Sequence, residues 1–201
     1  MIISHKYKFI FIKTIKTAGT SIEIYLSPLC GAEDILTPIQ PPAEGHQPRN
    51  YGQYYNHFSA WGLRQSLPPE IWNNYFKFCV ERNPWDKTLS DYHMAAARQG
   101  GNPSLDDYLK RGRFCSSWEL YTDADNSTIL PDQILRYESL DEELAGVFDR
   151  LSVPFEGKLG VFAKSGYRTD RRPYTEVYTD SQRQQVARSF ANEIKQFNYE
   201  F

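Results

Sequence analysis

Phe9-Ile10-Phe11-Ile12 is a β-branched and aromatic run that gives way to a small, hydroxyl-rich turn ending in Lys16-Thr17-Ala18-Gly19-Thr20-Ser21. Ile22, Tyr25, Leu26 and Leu29 then recur at helical spacing. The pattern predicts a buried strand, an anion loop and a helix. The first N–H groups of a helix have no intrahelical acceptor and stand at the positive end of its dipole, so an anionic oxygen cluster is stabilised there. Gly19 permits close backbone approach, Thr17, Thr20 and Ser21 add hydroxyls, and Lys16 adds a charge. Ala18 tolerates positive φ less well than glycine. A plainer account also fits: a Gly-Thr-Ser turn capping an ordinary helix.

Further strands are expected at Tyr75 to Val80 and Asp132 to Arg136. Helices are expected at Leu67 to Asn74, at Trp85 to Arg98 ended by Gly100-Gly101, from a Ser104 cap, at Leu140 to Leu151, and from Asp180 to Phe197. Thr37 to Tyr55, with Pro38, Pro41, Pro42 and Pro48, reads as a long loop closed by Asn56-His57-Phe58. Alternating strands and helices predict one α/β domain over residues 1–201, with a mostly parallel sheet covered by helices on both faces. Ligands of such sheets sit outside the carboxyl ends of the strands, which groups Lys16, Arg82 and the region after Tyr137 on one rim.

The 201 residues are 40% hydrophobic and 24% charged, a soluble globular make-up. A formal net charge of −2 gives no overall attraction to nucleic acid, so an anion site must come from local clustering. Cys30, Cys79 and Cys115 are three widely spaced thiols, unlike a disulfide framework or a zinc knuckle. With no apolar window of transmembrane length, the expectation for a full-length chain is a cytoplasmic location; a trimmed lumenal domain and a homodimer both stay open.

Two constellations carry a family resemblance. In a Walker A loop the lysine follows the last glycine, whereas here Lys16 precedes Gly19. The order Lys-Thr-Ala-Gly-Thr-Ser after an apolar strand instead resembles the 5′-phosphosulfate loop, usually Pro-Lys-Thr-Gly-Gly-Thr-Ser, of sulfotransferases that use 3′-phosphoadenosine 5′-phosphosulfate (PAPS), especially the carbohydrate branch. Ile15 and Ala18 depart from it. Glu81-Arg82-Asn83-Pro84 followed by Ser90 resembles that family's 3′-phosphate site, where a guanidinium holds phosphate bidentately and a helix hydroxyl adds a donor. Arg82-to-carboxylate pairing with a solvated Ser90 is the competing account. Asp132 to Leu140, with Tyr137-Glu138, and the late basic stretch Lys164-Ser165-Gly166-Tyr167-Arg168 with Arg171, Arg172 and Tyr174 extend the likeness.

The resemblance implies a P-loop-like sulfotransferase fold, PAPS as co-substrate with adenosine 3′,5′-bisphosphate (PAP) as product, and no metal. The acceptor it implies is a hydroxyl on a carbohydrate or other small polyhydroxylated molecule. The implied donor site is Lys16, Thr17, Ala18, Gly19, Thr20 and Ser21 with Arg82, Ser90, Tyr167 and Arg168. Lys16 supplies positive charge to the leaving phosphate, and His57, whose Asn56-His57-Phe58 resembles the family's Gly-His-Phe, is the expected base. Glu81 is the second candidate base. The Tyr-rich loop and Trp61 suit an acceptor platform for sugars, phenols or lipids alike. An ATP-dependent P-loop kinase and a non-catalytic nucleotide- or glycan-binding module are the competing classes.

Overall fold

The computed structural model describes residues 1–100, 103–161, 163, 165–168 and 170–201. In chain order the elements are β1 (Ile2–Ser4), β2 (Phe9–Phe11), α1 (Gly19–Leu26), β3 (Ile35–Leu36), α2 (Ala60–Ser66), α3 (Pro69–Asn74) and β4 (Phe76–Glu81). They continue with α4 (Pro84–Gln99), α5 (Leu105–Lys110), α6 (Trp118–Tyr121), β5 (Gln133–Arg136), α7 (Leu140–Arg150), α8 (Asp180–Ser189) and α9 (Ala191–Phe197). The chain forms two compact units, one of Met1–Glu81 with Ser117–Ala163 and one of Arg82–Ser116 with Lys164–Phe201.

The first unit holds the sheet, in strand order β3-β1-β2-β4-β5. β2, β4 and β5 are parallel neighbours, but β1 is antiparallel to both β2 and β3. The sheet is therefore mixed, not the mostly parallel sheet expected from sequence. The turn at residues 5–8 is too short for a crossover, so β1 and β2 pair as a hairpin. Lys8 takes a left-handed φ of 55° to close it. β4 is buried at every residue although its sequence includes a lysine. The Lys77 ammonium is satisfied there by Asp132 at 2.9 Å and the Trp72 carbonyl at 3.1 Å. Phe11 and Phe78 meet with ring centroids 5.2 Å apart, and Phe148 of α7 packs edge-on against Phe78 at 6.4 Å. Burial of each such ring stabilises the fold by about 2–3 kcal/mol. Because β2, β4 and β5 run the same way side by side, their carboxyl ends form one edge of the sheet.

In the second unit Asn83 caps α4, its side chain accepting from Trp85 N at 3.1 Å, with Pro84 in the first turn where a missing N–H costs nothing. Gly100, at φ 65°, ends α4 in a left-handed cap; Gly101 lies outside the described residues. Ser104 with Asp107 and Thr179 with Gln182 form capping boxes for α5 and α8. The single helix expected from Asp180 to Phe197 is two, broken at Phe190. Phe190 is fully buried and meets Phe114 edge-on at 6.0 Å. The apolar spacing of Val186, Phe190, Ile194 and Phe197 runs unbroken through this bend, so periodicity alone does not report it.

Candidate active site

In the first unit the chain leaves β2 through Lys13 and Thr14. The Thr14 hydroxyl donates to the Val80 carbonyl and shares a 2.7 Å hydrogen bond with Thr17 Oγ1. The Ile15 N–H donates to Ser117 Oγ at 3.1 Å. Thus braced, the turn holds Lys16 at φ 61° and Ala18 at φ 59°, both left-handed. Alternation of this kind turns backbone N–H groups toward a common concavity, the geometry of an anion nest. Ala18 also caps α1, its carbonyl accepting from Ile22 N at 3.1 Å.

Gly19 is there because of Lys13: a Cβ on Gly19 would stand 2.6 Å from Lys13 Cγ. Lys13 is buried and pairs with Glu23 at 2.5 Å, and Glu23 also receives the buried Met1 ammonium. Burial alone would raise the Glu23 carboxyl, but the two cations hold it below the usual carboxylate range. Burial takes the Met1 amine down to about 6 against the pull of Glu23. Thr17 is committed to bracing the turn. The Ser21 hydroxyl oxygen accepts from Ala163 N at 3.1 Å, which leaves its proton to donate elsewhere. Thr20 has no hydrogen-bond partner for its hydroxyl among the described residues.

His57 belongs to the same unit and, at φ 61°, is another left-handed residue. Its Nδ1 lies 2.9 Å from the Lys13 carbonyl. A carbonyl only accepts, so Nδ1 carries the proton and the neutral ring keeps its lone pair on Nε2. Burial draws the imidazole down to about 4, the Lys13 carbonyl opposing this and the Lys13 charge adding to it. The Asn56 Oδ1 is buried with no hydrogen-bond partner among the described residues. Tyr55, 62% exposed, packs its ring 4.7 Å from Phe58. Glu81 is buried and accepts from the Tyr121 hydroxyl at 3.1 Å.

In the second unit Arg82 donates from Nε and Nη2 to Asp86 Oδ2 at 2.9 and 2.5 Å. Arg168 Nη1 donates to the other oxygen of the same carboxylate at 2.6 Å. Ser90, one turn past Asp86 on α4, has no hydrogen-bond partner for its hydroxyl among the described residues. Arg172 is neutralised by Asp170 at 2.6 Å, so the late stretch is less positive than its composition. Tyr167 closes a short 3₁₀ turn at Ser165–Tyr167; Lys164 lies outside the described residues.

The structure thus gathers Lys16 to Ser21 with His57 in one unit, and Arg82, Ser90 and Arg168 in the other. Sequence reading passed over two residues that organise these groups. Asp86 carries a signal, four residues after Arg82 on a helix start. Lys13 carries none beyond a charge at the end of an apolar run.

Among the described residues, no group of three or more His, Cys, Asp or Glu side chains is placed to hold a metal ion, and no helix is long and apolar enough to cross a membrane. No protein-family model matches the chain. The backbone is similar to the crystal structure of mouse sulfotransferase SULT7A1 complexed with PAP, with a TM-score of 0.54 at 12% identity, over 95% of this chain and 85% of that one. This is a likeness of fold, and it bears out the expected sulfotransferase architecture at that level. A protein of Archaeoglobus fulgidus, itself uncharacterised, is 30% identical over 115 residues, 54% of this chain and 96% of its own length. The chain therefore has a sulfotransferase-like α/β fold and belongs to the same family as that archaeal protein.

Proposed function

We propose that the protein transfers a sulfuryl group from PAPS to an acceptor hydroxyl, on a carbohydrate or other small polyhydroxylated molecule, in the cytoplasm. The observation that carries this reading is the turn from Lys16 to Ala18: two left-handed residues opening α1, in a fold similar to that of a PAP-bound sulfotransferase. Such a turn fits a 5′-phosphosulfate by its backbone alone, with Lys16, Thr20 and Ser21 as side-chain donors. Thr17 contributes through its main chain, its hydroxyl being spent on Thr14. The 3′-phosphate is assigned to Arg82, Ser90 and Arg168, with Tyr167 next to Arg168 in sequence.

Bound PAPS supplies an electrophilic sulfur and a phosphate leaving group. His57 Nε2 takes the proton of the acceptor hydroxyl as its oxygen bonds to sulfur. Lys16 stabilises the negative charge that passes to the phosphate oxygen as the sulfur–oxygen bond breaks. Because Nδ1–H is tied to the Lys13 carbonyl, Nε2 is the one ring nitrogen that can act in this way. Glu81, with one oxygen taken by Tyr121, is the weaker choice of base. The test is transfer of labelled sulfate from PAPS across a panel of sugars, phenols and lipid alcohols, with His57→Ala as control. Transfer to at least one hydroxyl, lost in the variant, is expected; no transfer to any acceptor would overturn the reading.

A further inference from the structure

We infer that Asp86 is a positioning residue: it fixes the guanidinium groups of Arg82 and Arg168 on α4 beside Ser90, and through them sets the preference for a 3′-phosphorylated nucleotide. The identity of the nucleotide rests on the reading above; the positioning rests on the geometry of this unit.

Each oxygen of the carboxylate serves one arginine. Oδ2 takes the Nε and Nη2 of Arg82 at 2.9 and 2.5 Å, and Oδ1 takes Nη1 of Arg168 at 2.6 Å. One planar group therefore sets the orientation of two planar cations that would otherwise repel each other. Arg168 also binds its own loop, donating to the carbonyls of Asp170 at 2.9 Å and Arg172 at 2.6 Å. Asp86 thus ties the loop around Arg168 to α4. A guanidinium has five N–H donors. Arg168 commits three to these acceptors, which leaves two for a ligand among the described residues.

The two N–H donors that Arg168 keeps are of the kind that phosphate oxygens take in charge-assisted hydrogen bonds. Ser90 follows Asp86 by one helical turn and adds a hydroxyl on the same face. Asp86 sits in the first turn of α4, whose start Asn83 caps, so its backbone is fixed relative to Ser90 on the same helix.

The test is calorimetric titration of wild type, Asp86→Asn and Asp86→Glu with PAP and with adenosine 5′-phosphate, plus hydrogen exchange over residues 165–172 without nucleotide. For Asp86→Asn we expect PAP affinity to fall at least tenfold, adenosine 5′-phosphate to stay within twofold, and exchange over the Arg168 loop to rise. Asp86→Glu should recover part of the PAP preference, and it carries the comparison if Asp86→Asn does not fold. Tighter PAP binding in Asp86→Asn, an equal loss for both nucleotides, or unchanged binding would overturn the inference. A wild-type chain that ignores PAP would overturn the sulfotransferase reading and this inference with it, whereas failure in the variants alone would leave that reading standing.

Discussion

The Lys13 carbonyl, at the exit of β2, accepts the Nδ1–H of His57 at 2.9 Å. Strand end, anion turn and imidazole are thereby one construction, since Lys16 follows Lys13 by three residues. His57→Ala should lower turnover by roughly 10²- to 10⁴-fold, the usual range for loss of a general base. With the imidazole drawn down to about 4, this group adds no break to a pH–rate profile between pH 5.5 and 8. A wild-type profile whose acid limb sits near 6.5, and which vanishes in the variant, would contradict that assignment.

The same shift has a stability consequence. The folded pKa lies below the unfolded 6.5, so the unfolded chain binds the extra proton. The stabilisation is fully present above about pH 6.5 and is lost as pH falls toward 4. Its size is at most roughly 2–3 kcal/mol, discounted for partial exposure. Urea denaturation at pH 7.5 and pH 4.5 should show a drop that is smaller in His57→Asn, and equal drops would refute it.

At the turn, Ala18 carries a side chain at φ 59°, where L-residues pay about 1 kcal/mol. Ala18→Gly should stabilise the protein by about 0.5 kcal/mol once the extra freedom of glycine in the unfolded chain is set against that relief. Gly19→Ala should do the reverse, by roughly 2–3 kcal/mol, because its Cβ meets a lysine stem that cannot move without breaking a buried ion pair. Thermal melts of the two variants should shift in opposite directions.

Glu23→Gln leaves two buried cations without their carboxylate and should cost about 3–5 kcal/mol. Lys13→Met leaves Glu23 paired with the Met1 ammonium and should cost less, and the double variant should cost less than the sum of the two. A denaturant series on the three variants measures this, and strict additivity would mean that the pair is not coupled.

Lys16→Gly suits the left-handed backbone at φ 61° and removes the side chain with its charge. It should lower kcat by about 10²- to 10³-fold with little change in donor KM, whereas Arg82→Ala should chiefly raise donor KM. Steady-state kinetics with PAPS separate the two, and identical effects would argue against distinct roles.

Much of the first unit was legible in the sequence because its signals are local. Phe9 to Ile12 announces a strand, the polar turn after it a helix start, and the apolar face of α7 its own burial. The three-residue strand β1 is too short for any periodicity to register, and it is the strand that makes the sheet mixed. α2 begins at a Ser59 cap, with Gly62 under the Phe58 ring, and its seven residues are too few for a helical period to register. Arg82 and Arg168 were each visible as candidates, and the i,i+4 spacing of Arg82 and Asp86 was open to reading, but the link from Asp86 to Arg168 was not. The bond from Arg168 to Asp86 is a tertiary contact between residues 82 positions apart, which spacing along the sequence cannot encode.

The most direct measurement is isothermal titration of the protein with PAP and, separately, with ATP plus magnesium. The account predicts saturable binding of PAP, weakened by Arg82→Ala, and no comparable binding of ATP with magnesium. Tight metal-dependent ATP binding with no response to PAP would contradict it.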